Sequence, residues 1–426
     1  MRNEATGAGM QGTRKAAGEA SGAVVAAATI VFVLFHPVLR LGFLSDDYLL
    51  VERLERDGPF GVWSRDPTWF FRPLAALALF VQLRLGGGEP WLLHAISLTL
   101  HALNGVLVFL LARERLRAGA GAVPALAGVL FLALPSRAEP VAWISSQPDL
   151  LATALATSAL LIWLRGRGSV AVVVAASLFV LALLAKASVL TLAVIVAGWA
   201  VGRWGAPRDR RRAAIGVIGF ALAAALYFLL CRLCTGVFVA GYGVETHLHV
   251  DLSVAARNVV TLFIATVAPR TPWPIVALGA IALGVAVAIR GRRRNALAAG
   301  LAAAAGIAWL VSLLPAINLG IVSLPGHGEN ERYAYWPAVF GSVAIASAVG
   351  TLLPARRAGL LLAGALVVAL AFPLRAVLRD WQRADDVARR GLASVEVGLP
   401  ARRLNLIGVP DSVRGAFVFR DGIAPA

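Results

Sequence analysis

Residues 149–202 read DLLATALATSALLIWLRGRGSVAVVVAASLFVLALLAKASVLTLAVIVAGWAVG. Three apolar runs, 149–164, 168–185 and 187–202, are parted only by Arg165-Gly166-Arg167 and by the single Lys186. Each run approaches the roughly 20 residues that a helix needs to cross about 30 Å of hydrocarbon. Breaks this short are turns between neighbouring membrane helices.

The rest of the chain repeats the pattern. Of its 426 residues, 59% are hydrophobic and 15% charged, and the mean hydropathy is +0.77. A soluble domain is about 45–50% apolar and ~25% charged, so a water-soluble enzyme is excluded. Disorder is excluded as well, because it needs low hydrophobicity. The expected fold is an all-α polytopic membrane protein of about eleven spans. They are read at 23–43, 91–112, 122–135, 149–164, 168–185, 187–202, 213–233, 273–290, 296–315, 337–353 and 358–377.

Charge sets the orientation. The formal charge is +17, from 40 basic and 23 acidic residues. In a soluble protein that balance would suggest nucleic acid; here the basic residues cluster in alternate breaks, and no nucleic-acid partner is implied. With the N-terminus inside, the cytoplasmic breaks are 113–121, 165–167, 203–212, 291–295 and 354–357. With the N-terminal tail and Arg290 they hold 19 Lys and Arg against four acids, whereas the external segment 44–90 holds five Arg against seven acids. Lys and Arg stay on the cytoplasmic side, and every span obeys the rule.

The expected organisation is a disordered cytoplasmic tail over 1–22, a membrane domain over 23–377 and a small non-cytoplasmic tail over 378–426. The membrane domain has external loops at 44–90 and 316–336. Residues 253–268 are read as a re-entrant or interfacial helix, because a crossing there would put the Arg cluster 290–294 outside. Residues 74–85 are read as a helix along the membrane surface. A cleaved signal peptide is not expected, since 20 polar residues precede the first apolar run and no small-residue cleavage site follows it. Cys231 and Cys234 lie inside an apolar run and belong to no disulfide framework or metal spacing.

Charges outside the cytoplasmic breaks mark candidate chemistry. Asp46 and Asp47 directly follow the first span. Paired carboxylates at a membrane boundary suit a base, a metal ligand, a base with its orienting partner, or a helix cap. Arg72 stands between Phe71 and Pro73, as an interfacial anchor or a phosphate fork. The turn 134–149 carries Arg137, Glu139 and Asp149. Lys186 is expensive between two apolar runs unless it is paired or functional. Glu331, Arg332 and Tyr333 precede the tenth span. His94 and His101 share one helix face with Asn104 nearby and are read as packing donors. His247, His249 and Asp251 form a weak metal-like string. Walker, Rossmann, Ser-His-Asp and zinc-spacing patterns do not occur.

Taken in order, these motifs carry a resemblance. An aspartate pair after the first span is followed by FRPL (71–74), EPWLLH (89–94) and HALN (101–104). LPSRAEPVAWISSQPDLL (134–151), LLAK (183–186) and ERYAYWP (331–337) complete the series. It resembles the transmembrane mannosyltransferases that carry tetratricopeptide repeats. More broadly it is similar to the GT-C superfamily of polyprenyl-phosphate-sugar-dependent glycosyltransferases, which includes the protein O-mannosyltransferases. The resemblance covers about residues 25–377. No 34-residue repeat follows the last span, and Lys186 is followed by Ala-Ser rather than an acidic residue.

The resemblance implies inverting transfer of a sugar from a polyprenyl-phosphate donor in the bilayer to a hydroxyl on the non-cytoplasmic face of a bacterial-type cell membrane. The acceptor is a glycan, lipid or protein. Asp46 is expected as base or metal ligand, with Asp47 as the second catalytic candidate. Arg72, Lys186, Arg332 and Tyr333 are the expected phosphate-binding group. Arg137, Glu139, Asp149, Glu331 and His94 are expected around the acceptor or behind these residues. Mg²⁺ or Mn²⁺ dependence stays open. The rival class is a transporter or flippase of lipid-linked sugars, whose charges would line a path near the midplane; a non-catalytic scaffold is a third reading.

The orientation is testable. A cysteine at position 415, in a chain lacking Cys231 and Cys234, should react with an impermeant thiol reagent only from the non-cytoplasmic side. Labelling only from the cytoplasm refutes the topology.

Overall fold

The computed structural model describes residues 2–61, 70–116, 121–166, 168–201, 207–241, 251–267, 273–286, 289, 296–317, 319, 329–353, 355–398 and 410–419. In chain order the helices are α1 (Arg2–Phe35), α2 (Asp46–Gly61), α3 (Pro73–Leu85), α4 (Pro90–Leu116), α5 (Val123–Ala133), α6 (Ala138–Ala142), α7 (Gln147–Arg165) and α8 (Ser169–Ala185). They continue with α9 (Thr191–Val201), α10 (Pro207–Thr235), α11 (Leu252–Val267), α12 (Trp273–Ala286), α13 (Ala296–Ser312), α14 (Tyr335–Leu352) and α15 (Arg356–Gly398). A two-stranded antiparallel hairpin, β1 (Ser412–Val413) and β2 (Ala416–Phe417), closes the described chain.

The fold is all-α apart from this hairpin, and the chain is a multi-pass membrane protein. A helix stands in each of the eleven expected intervals. Among the described residues, seven helical stretches are long and apolar enough to cross a membrane alone. The α5–α6 pair, bent by 60°, makes an eighth. The difference from eleven is one of length. Helices of 11 to 17 residues such as α5, α8 and α9 rise only about 16–26 Å.

Prolines shape the stretch between α5 and α7. Leu134 is extended before Pro135, a 3-10 turn covers Pro135–Arg137, and a second covers Ile144–Ser146 before Pro148 enters the first turn of α7. Proline lacks an N–H and fits a first turn but not a helix interior. Irregular backbone at membrane depth is tolerated only inside protein. Residues 135–144 are accordingly all buried.

The centre of the bundle is α4, α5, α7 and α14, joined by a polar network. His101 Nδ1 lies 2.8 Å from the Tyr335 hydroxyl, and its Nε2 lies 3.2 Å from the Leu132 carbonyl oxygen. Asn104 Nδ2 donates to the Leu150 carbonyl and to the Tyr335 hydroxyl. His101 and Asn104 therefore act in packing.

Two expectations change. Residues 2–22, read as disordered, are helical and continuous with α1; alanine, frequent in this tail, has the highest helix propensity. Residues 378–398 are not a separate tail but the continuation of the last span, one helix of 43 residues. The hairpin after it packs on the membrane domain, with Ala416, Phe417, Val418 and Phe419 all buried. Its loop, Arg414-Gly415, has φ of +50° and +90°, the left-handed pair that a two-residue hairpin turn requires. The 253–268 segment is helix α11. Ala255, Asn258, Leu262 and Thr266 form its buried stripe, and it packs on α14 and on the 3-10 turn Glu331–Ala334. Helix α3 occupies the 74–85 interval and packs on α2, α4 and α8. Trp69, the string at 247–249, Gly328 and the Arg cluster 290–294 lie outside the described residues.

Tyr335→Phe removes the hydroxyl that serves both His101 and Asn104. Leaving buried groups unpaired should lower stability by about 1–3 kcal/mol. Thermal unfolding in detergent checks this, and an unchanged Tm would discount the network.

Candidate functional site

The joints between helices, not the helices themselves, supply the site. Helix α7 begins with Asp149 in its first turn, and α8 ends just before Lys186, whose backbone is extended. The antiparallel packing of α7 and α8 brings these two residues together. Lys186 Nζ donates to Asp149 Oδ2 at 2.5 Å, with both side chains buried. The expensive lysine is paired.

A second ion pair stands beside the first. Arg332 Nη1 donates to Glu139 Oε1 at 2.6 Å, and the Glu331 backbone N–H donates to Glu139 Oε2 at 2.7 Å. Asn330, at φ +67°, turns the chain into this contact. The Arg332 guanidinium lies 4.8 Å from the Trp143 ring, 4.8 Å from the Tyr333 ring and 5.8 Å from the Phe417 ring. Lys186 Nζ also lies over the Tyr333 ring, at 5.6 Å. Arg72, stacked 4.0 Å from Phe70, is close enough to Lys186 to act on its charge, as is Arg332. Two cations thus lie over one tyrosine with a third near the lysine, and two carboxylates neutralise part of their charge.

Arg137 stands deeper. It is fully buried, with Nε donating to the Phe131 carbonyl and Nη2 to the Thr266 carbonyl. It therefore holds the C-terminal end of α11, where the helix dipole favours a cation. Its Nη1 has no hydrogen-bond partner among the described residues, and Glu331 and Tyr335 are its electrostatic neighbours. His94 is buried beside the Leu41–Gly42 backbone.

The aspartate pair divides its work. Asp47 is buried, and both its oxygens are occupied: Oδ2 accepts the Leu44 N–H, and Oδ1 accepts the Ser145 N–H and hydroxyl at 2.7 and 2.6 Å. Burial pushes its carboxyl up to about 7, against the lowering effect of those hydrogen bonds. Asp46 is partly exposed and accepts from the Ser45 hydroxyl. Ser45 has φ +54°, a left-handed conformation for a residue that is not glycine, and backbone strain of this kind concentrates at functional sites. Trp143 Nε1 donates to the Leu44 carbonyl. The Asp46 loop is therefore tied to the same 143–145 turn that follows Glu139.

The structure thus brings together Glu139, Arg332, Tyr333, Lys186, Asp149 and Arg72, and joins the Asp46–Asp47 loop to them through Trp143 and Ser145. Sequence reading missed Ser145, Phe417 and Val418. The apolar run Ala416-Phe417-Val418-Phe419 suits a strand but says nothing of where it docks. Among the described residues no group of three or more His, Cys, Asp or Glu stands together, and the Asp47 oxygens are filled by hydrogen bonds.

No family model matches the chain, and no curated protein matches it. A crystal structure of ArnT from Cupriavidus metallidurans bound to undecaprenyl phosphate overlaps 87% of this chain and 80% of that one, with 19% identity and a TM-score of 0.40.

Asp47 gives a pH prediction. Its folded carboxyl binds a proton more tightly than in the unfolded chain, where the ordinary value is 3.8. The stability it contributes is complete below that value and is lost as pH rises through about 7. The full span is roughly 4 kcal/mol at most. Asp47→Asn should flatten the fall in Tm between acid and neutral pH; an identical slope in the variant contradicts the burial argument.

Proposed function

We propose that the protein is a membrane glycosyltransferase of the GT-C type, moving a sugar from a polyprenyl-phosphate donor to an acceptor hydroxyl with inversion. The placing of Lys186 and Arg332 over the Tyr333 ring, with Arg72 near enough to act on the Lys186 charge, beside the Asp46 loop, carries this reading. A lipid-linked donor arrives through the bilayer, which accords with a chain that has no nucleotide-binding motif. The acceptor is a glycan, lipid or protein on the non-cytoplasmic side.

In this reading Asp46 is the base. As the acceptor oxygen attacks the anomeric carbon, its proton passes to the Asp46 carboxylate. The bond from the anomeric carbon to the phosphate oxygen breaks, and its electron pair leaves with the phosphate. Charge developing on that oxygen is met by Arg332, Lys186 and Arg72, since preorganised cations act most strongly where water is excluded. Glu139 and Asp149 hold Arg332 and Lys186 in place and keep the empty site from carrying three uncompensated charges. Asp47 holds the loop, because its oxygens are committed to Leu44 and Ser145. Arg137, Glu331 and His94 support the site from behind, Arg137 by fixing α11. No step is routed through a metal.

The transporter reading is weaker. Its charges would be strung along a path, whereas here Asp149, Lys186, Glu139 and Arg332 gather where α7 starts, α8 ends and α14 starts.

Purified protein incubated with radiolabelled polyprenyl-phosphate sugars should yield a labelled product. Asp46→Asn should reduce transfer by about 10²–10⁴-fold while insertion and Tm stay as in the parent. Full activity in that variant sinks the assignment of the base.

A further inference from the structure

We propose that the C-terminal hairpin is a working part of the site, a clip that holds the Asp46 loop and Arg332 in one register, with Phe417 as its positioning residue. The inference rests on the roles given above to Asp46 and Arg332. Two adjacent residues reach both halves of the site. The Val418 carbonyl accepts the Ser45 N–H at 2.8 Å. Phe417, fully buried, lies against Trp143 at 4.7 Å between ring centroids, against Trp381 of α15 at 6.3 Å, and under the Arg332 guanidinium. Phe419 stacks on Tyr48, two residues beyond Asp46.

The strain at Ser45 gives this contact its purpose. A left-handed serine persists only when its surroundings over-determine it. Here the surroundings are the Val418 carbonyl on one side and the Asp47 hydrogen bonds on the other. Helix α15 makes the same clamp firmer. Asp385 Oδ1 accepts the Gly42 N–H at 2.9 Å, and Arg389 Nη2 donates to the Arg40 carbonyl. The space at Gly42 is filled, since an added Cβ would stand 2.9 Å from Asp385 Oδ1. The hairpin is anchored at its other end by Ser412, whose hydroxyl donates to Glu329, two residues before Glu331. Segments around residues 45, 143 and 331, already joined to one another, therefore all touch this one hairpin as well.

A cap with a purely structural role would share these contacts, so the test reads position as well as rate. Full-length protein is used throughout. In a chain with Cys231 and Cys234 replaced by alanine, Asp46→Cys is labelled with an impermeant maleimide, with and without Phe417→Ala. The clip requires labelling to quicken by about fivefold or more as the loop opens. In the otherwise native chain, Phe417→Ala should lower kcat for transfer from a polyprenyl-phosphate hexose by about tenfold or more, because small misplacements of a catalytic group are costly. The donor KM should change little, since Glu139 still holds Arg332. Phe417→Tyr should restore most of the rate, and Phe417→Leu replaces the alanine variant if that one does not fold. Unchanged labelling overturns the clip. A higher kcat in Phe417→Ala overturns it too, and makes the hairpin a plug. Faster labelling in a protein whose parent transfers no sugar supports the clip and retires the transferase reading instead.

Discussion

Glu139 is the carboxylate on which the site end of the bundle depends. It takes the Arg332 guanidinium on one oxygen and the Glu331 backbone N–H on the other, so the turn after α5 and the turn before α14 are closed by the same group. Nothing in the helices could replace it, because a membrane helix satisfies its own backbone and offers only side chains to its neighbours. The breaks between helices are where backbone donors and charged side chains become available together. A buried ion pair is weak as a source of stability, yet removing one partner alone is severe. Pairs of this kind therefore fix geometry more than they add to folding energy.

Arg332 is held in a different manner from Lys186. Its planar guanidinium lies among Trp143, Tyr333 and Phe417, a stacked arrangement that an ammonium would fill poorly. Lys186 is a point charge on one carboxylate, with a tyrosine ring at its side. The chain uses 38 arginines and only two lysines, and one of the two stands at this junction. A compact, strongly hydrated cation here meets a single anion, while the fork beside it meets a carboxylate and three rings.

How much of this was legible in the sequence follows from range. The helices were legible because apolar runs and arginine breaks are local signals. Asp46, Arg72, Glu139, Lys186 and Arg332 stood out because each is a charge where hydrophobic sequence makes charge expensive. Their pairings were not legible: Lys186 meets a carboxylate 37 positions away, and Glu139 meets Arg332 193 positions away. Asp46 comes before Asp47 as the expected base, but the reason that separates them, burial of Asp47 with the Leu44 and Ser145 donors on its oxygens, was not legible. The length of α9 was misjudged for a physical reason, since hydropathy reads through the 3-10 turn Ala187–Leu190 that shortens the helix after it. The hairpin was visible as a strand-like segment, but its place beside Arg332 depends on a helix whose extent no local pattern fixes.

That helix, α15, runs 43 residues, about 65 Å, while the hydrocarbon it crosses is only about 30 Å thick. The excess makes it a lever. Its apolar half answers to the bilayer, and its far half carries Trp381, Asp385 and Arg389, which grip the chain next to Asp46. Helices adjust to a thicker or thinner membrane by tilting, and a tilt of roughly 5° moves a point 30 Å along the axis by about 2–3 Å. Pro373, inside the helix, lacks the N–H that would stiffen it there. A change of tilt that the bilayer imposed on the apolar half would therefore be carried along the helix to the segment beside Asp46.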